Sequence, residues 1–137
     1  MGYGLVTKCS SCHDEQNFFL YVGMCTPYIG HIIDNSHYRT RDKIFDFLNK
    51  GEERSYDFSN KIFVCARCQV PHSRFWAKIE REDGKVFETE FKCPKCRSVM
   101  VAINDEDTDE LIDEITKYRC CKCGEKSLKV VDEILWD

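Results

Sequence analysis

Four Cys-x-x-Cys pairs punctuate the chain, at Cys9/Cys12, Cys65/Cys68, Cys93/Cys96 and Cys120/Cys123. A Cys-x-x-Cys turn places two sulfurs on one side of a tight loop, and two such turns complete a tetrahedral zinc site with Zn–S of about 2.3 Å. One pair alone would be ambiguous with a thiol-redox motif. Four, each flanked by strand-like sequence, read as eight ligands for two structural Zn2+ ions. Iron in a rubredoxin-like set of four thiolates suits the same donors. Residues Met1 to Lys8 hold no basic segment leading into an apolar run, and no stretch approaches a membrane span. The sequence therefore predicts a reducing, cytoplasmic address, which favours metal over disulfides.

How the pairs combine is open from spacing alone. The second and third are separated by 24 residues and the third and fourth by 23, and the third cannot serve both. In a tandem arrangement Cys9/Cys12 joins Cys65/Cys68, and Cys93/Cys96 joins Cys120/Cys123. In a nested one Cys65/Cys68 joins Cys93/Cys96, and Cys9/Cys12 closes with Cys120/Cys123. The Asp83-Gly84 turn signal favours nesting, because a hairpin there draws Cys68 and Cys93 together. Tandem pairing is nevertheless preferred, with the helical stretch between the first two pairs treated as an insertion.

The predicted fold is a small, mainly β (α+β) metal-stabilised protein of two zinc-ribbon modules, one with a helical insertion. The first spans residues 1–80 with its helix near 38–50. The second spans 81–137 with an acidic loop or short helix at 105–115. β-Branched and aromatic runs at 5–8, 17–22, 61–64, 73–80, 86–92, 98–103, 116–119 and 127–135 read as strands around the turns. In Ser36 to Gly51, residues Ile44, Phe47 and Leu48 share one helical face, with Ser36 or Thr40 as cap and Gly51 as stop. Thr108 is the expected cap of a second helix burying Leu111, Ile112 and Ile115. Residues 51–60 read as a loop.

The opening Gly2-Tyr3-Gly4-Leu5, Cys9-Ser-Ser-Cys12, the Leu20 to Pro27 stretch, Ile62-Phe63-Val64-Cys65 and the closing Leu135-Trp136-Asp137 resemble a family of uncharacterised bacterial zinc-ribbon proteins. The resemblance spans nearly the whole chain, although its motifs are mostly the ligands themselves. It implies two ribbons in tandem with a variable middle, and no known activity.

Charge narrows the function classes. The formal net charge is −4, and two ions each bound by four thiolates take it to about −8. That argues against a generic polyanion binder. Seven of the acids lie in residues 105–114, which hold no Lys or Arg. Asp105-Glu106 is similar to the acidic pair of transcript-cleavage zinc ribbons, but Ala102-Ile103-Asn104 replaces their Arg-Ser-Ala, so a solvated acidic segment is the preferred reading. Arg74, Phe75, Trp76 and Lys78 interleave bases and aromatics as single-strand binders do. Alternation offers an ordinary half-buried strand instead, with Phe75 inward and Trp76 on the other face. Cys9-Ser-Ser-Cys12-His13 matches a haem-attachment pattern, set aside because no export signal accompanies it. His72 is a substitute ligand that four cysteines make unnecessary. Cys25 reads as a small buried apolar residue, and Cys121 as a spare thiol able to exchange with Cys120.

No nucleophile–base pair, phosphate-cradling loop or open metal motif appears, so no enzymatic activity is expected. The predicted role is a structural or adaptor module for a protein partner, without membrane association. A nucleic-acid-binding or RNA-polymerase-associated accessory factor is the alternative, and a thiol-redox or metal-handling protein the third reading.

Overall fold

The computed structural model describes residues 2–22 and 28–136. It is a small α+β chain made mainly of strands: β1 (Gly2–Cys9), β2 (Glu15–Leu20), α1 (Ile29–Asn35), α2 (Tyr38–Asn49), β3 (Glu53–Val64), β4 (Pro71–Arg81), β5 (Val86–Glu88), β6 (Val101–Ala102), α3 (Thr108–Ile115) and β7 (Leu128–Trp136). The sheets have strand orders β2-β1-β7 and β5-β4-β3-β6. Two compact units interleave along the chain. One takes Met1–Met24, Asn60–Arg74 and Glu90–Asp137, and the other Cys25–Ser59 and Phe75–Thr89, whereas the sequence reading divides the chain after residue 80. Among the described residues no helix is long and apolar enough to cross a membrane.

In the first unit β1 is central. It pairs antiparallel with β2, Leu5 opposite Phe18, and with β7, Cys9 opposite Leu128. Alternation along β1 turns Leu5 into a cluster with Phe18, Leu20, Ile62, Leu111 and Ile115, all at most 2% exposed. Full burial of such side chains is worth about 1.5–3 kcal/mol each. The Asp107 carboxylate caps α3 by accepting from the amides of Asp109 at 2.9 Å and Glu110 at 3.1 Å. Asp107 thus takes the capping place assigned to Thr108, because its ionised carboxylate oxygen accepts from both free amides. At the other end of β1, a Cβ on Gly2 would collide with the Trp136 indole. The indole lies on that glycine and donates to the Tyr3 carbonyl at 3.1 Å, which gives the Leu135-Trp136 ending a packing role.

The second unit is organised by Arg81. Its Nη1 donates to the Phe47 carbonyl at the end of α2 at 3.0 Å. Its Nε and Nη2 grip Asp83 at 3.1 and 2.6 Å, and the guanidinium lies 4.6 Å from the Phe47 ring centre. That fixes α2 against the β4–β5 hairpin, whose turn runs through Asp83-Gly84 as the sequence predicts, with Gly84 at φ 84°.

Several elements differ from expectation. Residues 53–60 continue β3 instead of forming a loop, since Phe58 is buried. Helix α1 interrupts a stretch that carried no strong helical signal. His37, not Ser36 or Thr40, caps α2 by accepting from the Arg39 amide, and Ser36 instead donates to the Ile32 carbonyl. Residues 116–119 form no strand, because the backbone closes the end of α3 with Tyr118 N–H on the Ile115 carbonyl.

Candidate metal centres

The same turn is built four times. In each, the amide after the second cysteine donates to the carbonyl of the first: His13 to Cys9 at 2.9 Å, Gln69 to Cys65 at 2.7 Å, Arg97 to Cys93 at 3.0 Å and Gly124 to Cys120 at 2.9 Å. That donor is left-handed every time, with φ of 61°, 58°, 65° and 77°. Only Gly124 adopts this region without cost. For His13, Gln69 and Arg97 it costs about 1–2 kcal/mol each. Three turns close further through the first cysteine's own amide, Cys9 to Asp14, Cys93 to Ser98 and Cys120 to Glu125, at 2.8–2.9 Å. The bend aims amides at the leading sulfurs: Cys12 N–H lies 3.5 Å from Cys9 Sγ, Cys68 N–H 3.4 Å from Cys65 Sγ and Lys122 N–H 3.4 Å from Cys120 Sγ.

The turns assemble in two groups, Cys9, Cys12, Cys120 and Cys123, and Cys65, Cys68, Cys93 and Cys96, with all sulfurs of a group within 4.8 Å of one another. Pairing is therefore nested, and the preference for tandem pairing is corrected. Antiparallel β1–β7 contact brings the first and last turns together, and Ser10 N–H donates to the Ser127 carbonyl at 2.9 Å. Pairing of Val64 with Val101, and of Lys92 with Val99, sets the second turn beside the third. The β1–β7 contact joins the first and last strands and could not be read from local spacing, whereas the meeting of the second and third turns is the one the Asp83-Gly84 turn signal favours.

The geometry suits an ion at each centre. Cys9 and Cys123 sulfurs are 3.5 Å apart, Cys12 and Cys120 3.7 Å, and Cys65 and Cys96 3.4 Å. A regular tetrahedron with metal–sulfur distances of about 2.3 Å has edges of about 3.8 Å. A disulfide would need about 2.05 Å, and all eight thiols are free. The leading cysteines are 0–1% exposed, while Cys12, Cys68 and Cys96 are half-buried and Cys123 is exposed.

Hydrogen bonds prepare some sulfurs for ionisation and crowding holds others back. The Ser127 hydroxyl, 2.9 Å from Cys9 Sγ, and the Cys12 amide pull the Cys9 thiol down to about 6. The Ser98 hydroxyl and amide do the same for Cys96, also to about 6. Cys93 is lowered by the amides of Cys96 and Lys95. Cys68 is pushed up to about 12, first by the neighbouring Cys96 sulfur and then by burial. For Cys12 the Asp14 amide favours the thiolate, but burial and the sulfurs of Cys9, Cys120 and Cys123 outweigh it and raise the thiol to about 12. Four like charges in so small a space repel, and a divalent cation removes that conflict while displacing the remaining protons. Ser98 and Ser127 were not among the residues singled out in the sequence. Ser98, two residues after Cys96, had a local signal in its spacing, and Ser127 had none.

Other candidates stay outside the groups. His13 is exposed. His72 is half-buried, its basicity lowered by burial and then by Arg74. Cys121 is exposed, with the Gln16 side-chain amide on its sulfur. Cys25 lies outside the described residues. Trp76, expected on the open face of its strand, is 9% exposed and donates to Glu88 at 2.9 Å, because β5 lies alongside and supplies that carboxylate. Asp105 receives the Tyr21 hydroxyl on its backbone carbonyl. Comparison with protein-family models, curated proteins and solved structures finds no match.

Proposed function

We propose that each four-cysteine group holds one structural zinc ion in ribbon-like knuckles, and that the protein is a non-catalytic, cytoplasmic adaptor presenting its surface to a protein partner. The observation that carries this reading is the closed, all-sulfur donor set at both centres. Four thiolates complete a tetrahedral ion and leave no position for substrate or activated water. Buried leading sulfurs with amide hydrogen bonds suit permanent ligation better than thiol exchange, which needs an accessible, unpartnered pair. Resemblance to bacterial zinc-ribbon proteins of no known activity points the same way. The aromatic–basic strand offers less to a nucleic-acid reading, since Trp76 is buried and committed to Glu88.

The test is metal analysis of native protein together with sulfur-shell spectroscopy and metal-dependent partner capture. Two zinc ions per chain, four sulfurs around each at about 2.3 Å, and a partner retained only by metal-loaded protein are expected. Fewer than two ions, or tertiary structure unchanged by chelation, would refute the structural-zinc reading.

A further inference from the structure

The sheet ending in β6 has an open edge. Ile103 N–H donates to the Ile62 carbonyl at 2.9 Å, and the register sets Ala102 opposite Phe63 and Val101 opposite Val64. Hydrogen-bonded and non-hydrogen-bonded pairs alternate along an antiparallel ladder. Val101 and Ile103 therefore turn their backbone groups toward β3, and Ala102 and Asn104 turn theirs away. Among the described residues no backbone group takes up the outward N–H or C=O of Ala102 or Asn104. Edges of this kind are usually blunted by charge, proline or a covering element. The preceding outward group, Met100 N–H, is taken by the Phe91 carbonyl at 2.8 Å. The open edge is therefore residues 101–104, which carry no charge and no proline, and Val101 is 63% exposed.

Helix α3 forms the facing wall. Leu111 and Ile115 are buried with Ile62, which leaves Glu110 and Glu114 on the flank toward β6. Between them lies a groove of about 400 Å³ lined by Val64, Val101, Ala102, Glu110, Glu114 and Tyr118. Lys117 and the Tyr118 hydroxyl bind the Glu114 carboxylate at 3.1 and 2.7 Å. The Glu110 carboxylate has no basic partner among the described residues. Of the seven acids in residues 105–114, Glu110 and Glu114 line the groove.

We propose that this groove binds an extended, basic segment of a partner protein, which adds to β6 as a further strand. The main chain of that segment hydrogen-bonds to Ala102 and Asn104, which is strand addition at a sheet edge. Side chains alternate along a strand. Those on the α3 side meet Val101 at one position and Glu110 two residues away, so the segment carries an apolar residue and a Lys or Arg at i and i+2. This rests on the adaptor reading and gives its partner a chemistry.

The test uses the full, metal-loaded, isotope-labelled chain and the peptide Ser-Lys-Thr-Val-Thr-Lys-Ser, with Ser-Glu-Thr-Val-Thr-Glu-Ser as its acidic twin. Saturation with the basic peptide is expected to slow amide exchange at Ala102 and Asn104 at least tenfold, and the twin to bind at least tenfold more weakly. Ala102→Pro removes one outward N–H and leaves the inward ladder bonds in place, and Glu110→Lys reverses one charge. Each should weaken binding at least tenfold with two metals retained. Should Ala102→Pro fail to fold, a peptide N-methylated at its valine and both threonines, which blocks the bonds to β6 in either strand direction, makes the same test from the other side. No binding at millimolar peptide, or binding without protection of Ala102 and Asn104, overturns the proposal. So does self-association of the free chain through this edge, abolished by Ala102→Pro. Partner capture unaffected by Ala102→Pro and Glu110→Lys sinks the groove and spares the adaptor. Metal-independent structure sinks the structural-zinc reading instead.

Discussion

Nested pairing makes opposite predictions from tandem pairing for two double substitutions. Cys9→Ser with Cys120→Ser strikes one centre twice, because these cysteines belong to one group, whereas Cys9→Ser with Cys65→Ser strikes both. Metal content should be one ion per chain in the first variant and none in the second. Binding stabilises the folded chain by about 4 kcal/mol per site when free metal exceeds the dissociation constant a thousandfold. Two sites then contribute about 8 kcal/mol, comparable with the whole stability of an ordinary domain, about 5–15 kcal/mol. The first variant keeps half of this and the second keeps none. Single losses should also differ. The terminal centre closes contacts between residues 108 and 114 apart, and the inner one a contact 31 apart. Chain-closure entropy makes the terminal centre worth about 1 kcal/mol more. Elemental analysis after equilibration in a zinc buffer gives the stoichiometries, and urea titration gives the stabilities. One ion in the Cys9→Ser/Cys65→Ser variant with none in the other would refute nested pairing.

Further outcomes follow from single residues. Cys121→Ser should retain two metals and the wild-type cobalt spectrum, since Cys121 lies outside both groups, and a drop to one ion would show that it ligates. Leu111→Ala empties a fully buried site in the first unit and should cost about 2–5 kcal/mol, lowering the urea midpoint without changing the slope. A loss below about 1 kcal/mol would show that α3 is not anchored as described. In the second unit, Arg81 beside Asp83 holds its carboxyl below the ordinary 3.8. A depressed carboxyl stabilises the fold above its unfolded value and loses that contribution as pH falls through the folded one. The Asp83→Asn variant should therefore be less stable than wild type at neutral pH, with the difference shrinking toward zero in acid. A carboxyl titrating at or above 3.8 would refute the Arg81 contact.

The ligand list was legible in the sequence because a metal turn is local: two cysteines three residues apart suffice to define it. The left-handed residue that closes each turn was not legible. Glycine announces that conformation at Gly124, but His13, Gln69 and Arg97 carry it unannounced, held by the hydrogen bond to the leading cysteine. Helix α2 was visible through Ile44 and Phe47, whereas its cap at His37 and the strand at 53–59 depended on packing that periodicity does not encode. The tandem preference came from the same limit. The 24-residue interval suits the observed joining of the second turn to the third and the 23-residue interval a joining of the third to the fourth, and neither records that β7 returns to β1.

That return gives the metal centres their structural sense. The first unit is assembled from three separate stretches, 1–24, 60–74 and 90–137. Cys9 and Cys12 lie in the first stretch, Cys65 and Cys68 in the second, and the other four ligands in the third. One centre therefore ties the first stretch to the third, and the other ties the second to the third. Tandem pairing would tie the first stretch to the second and spend the other ion entirely within the third, where a 23-residue interval needs little help to close. With the nested arrangement, two ions are the smallest number that can join three stretches. The remaining residues, 25–59 and 75–89, are the two insertions that separate those stretches, and they depend on Arg81 and apolar packing. Removing metal should accordingly release the sheet β2-β1-β7 first, while the Arg81 contacts to Asp83 and to the end of α2 persist. Residue-resolved amide exchange during chelation reads that order directly, and simultaneous loss at Leu5 and Ile79 would refute it.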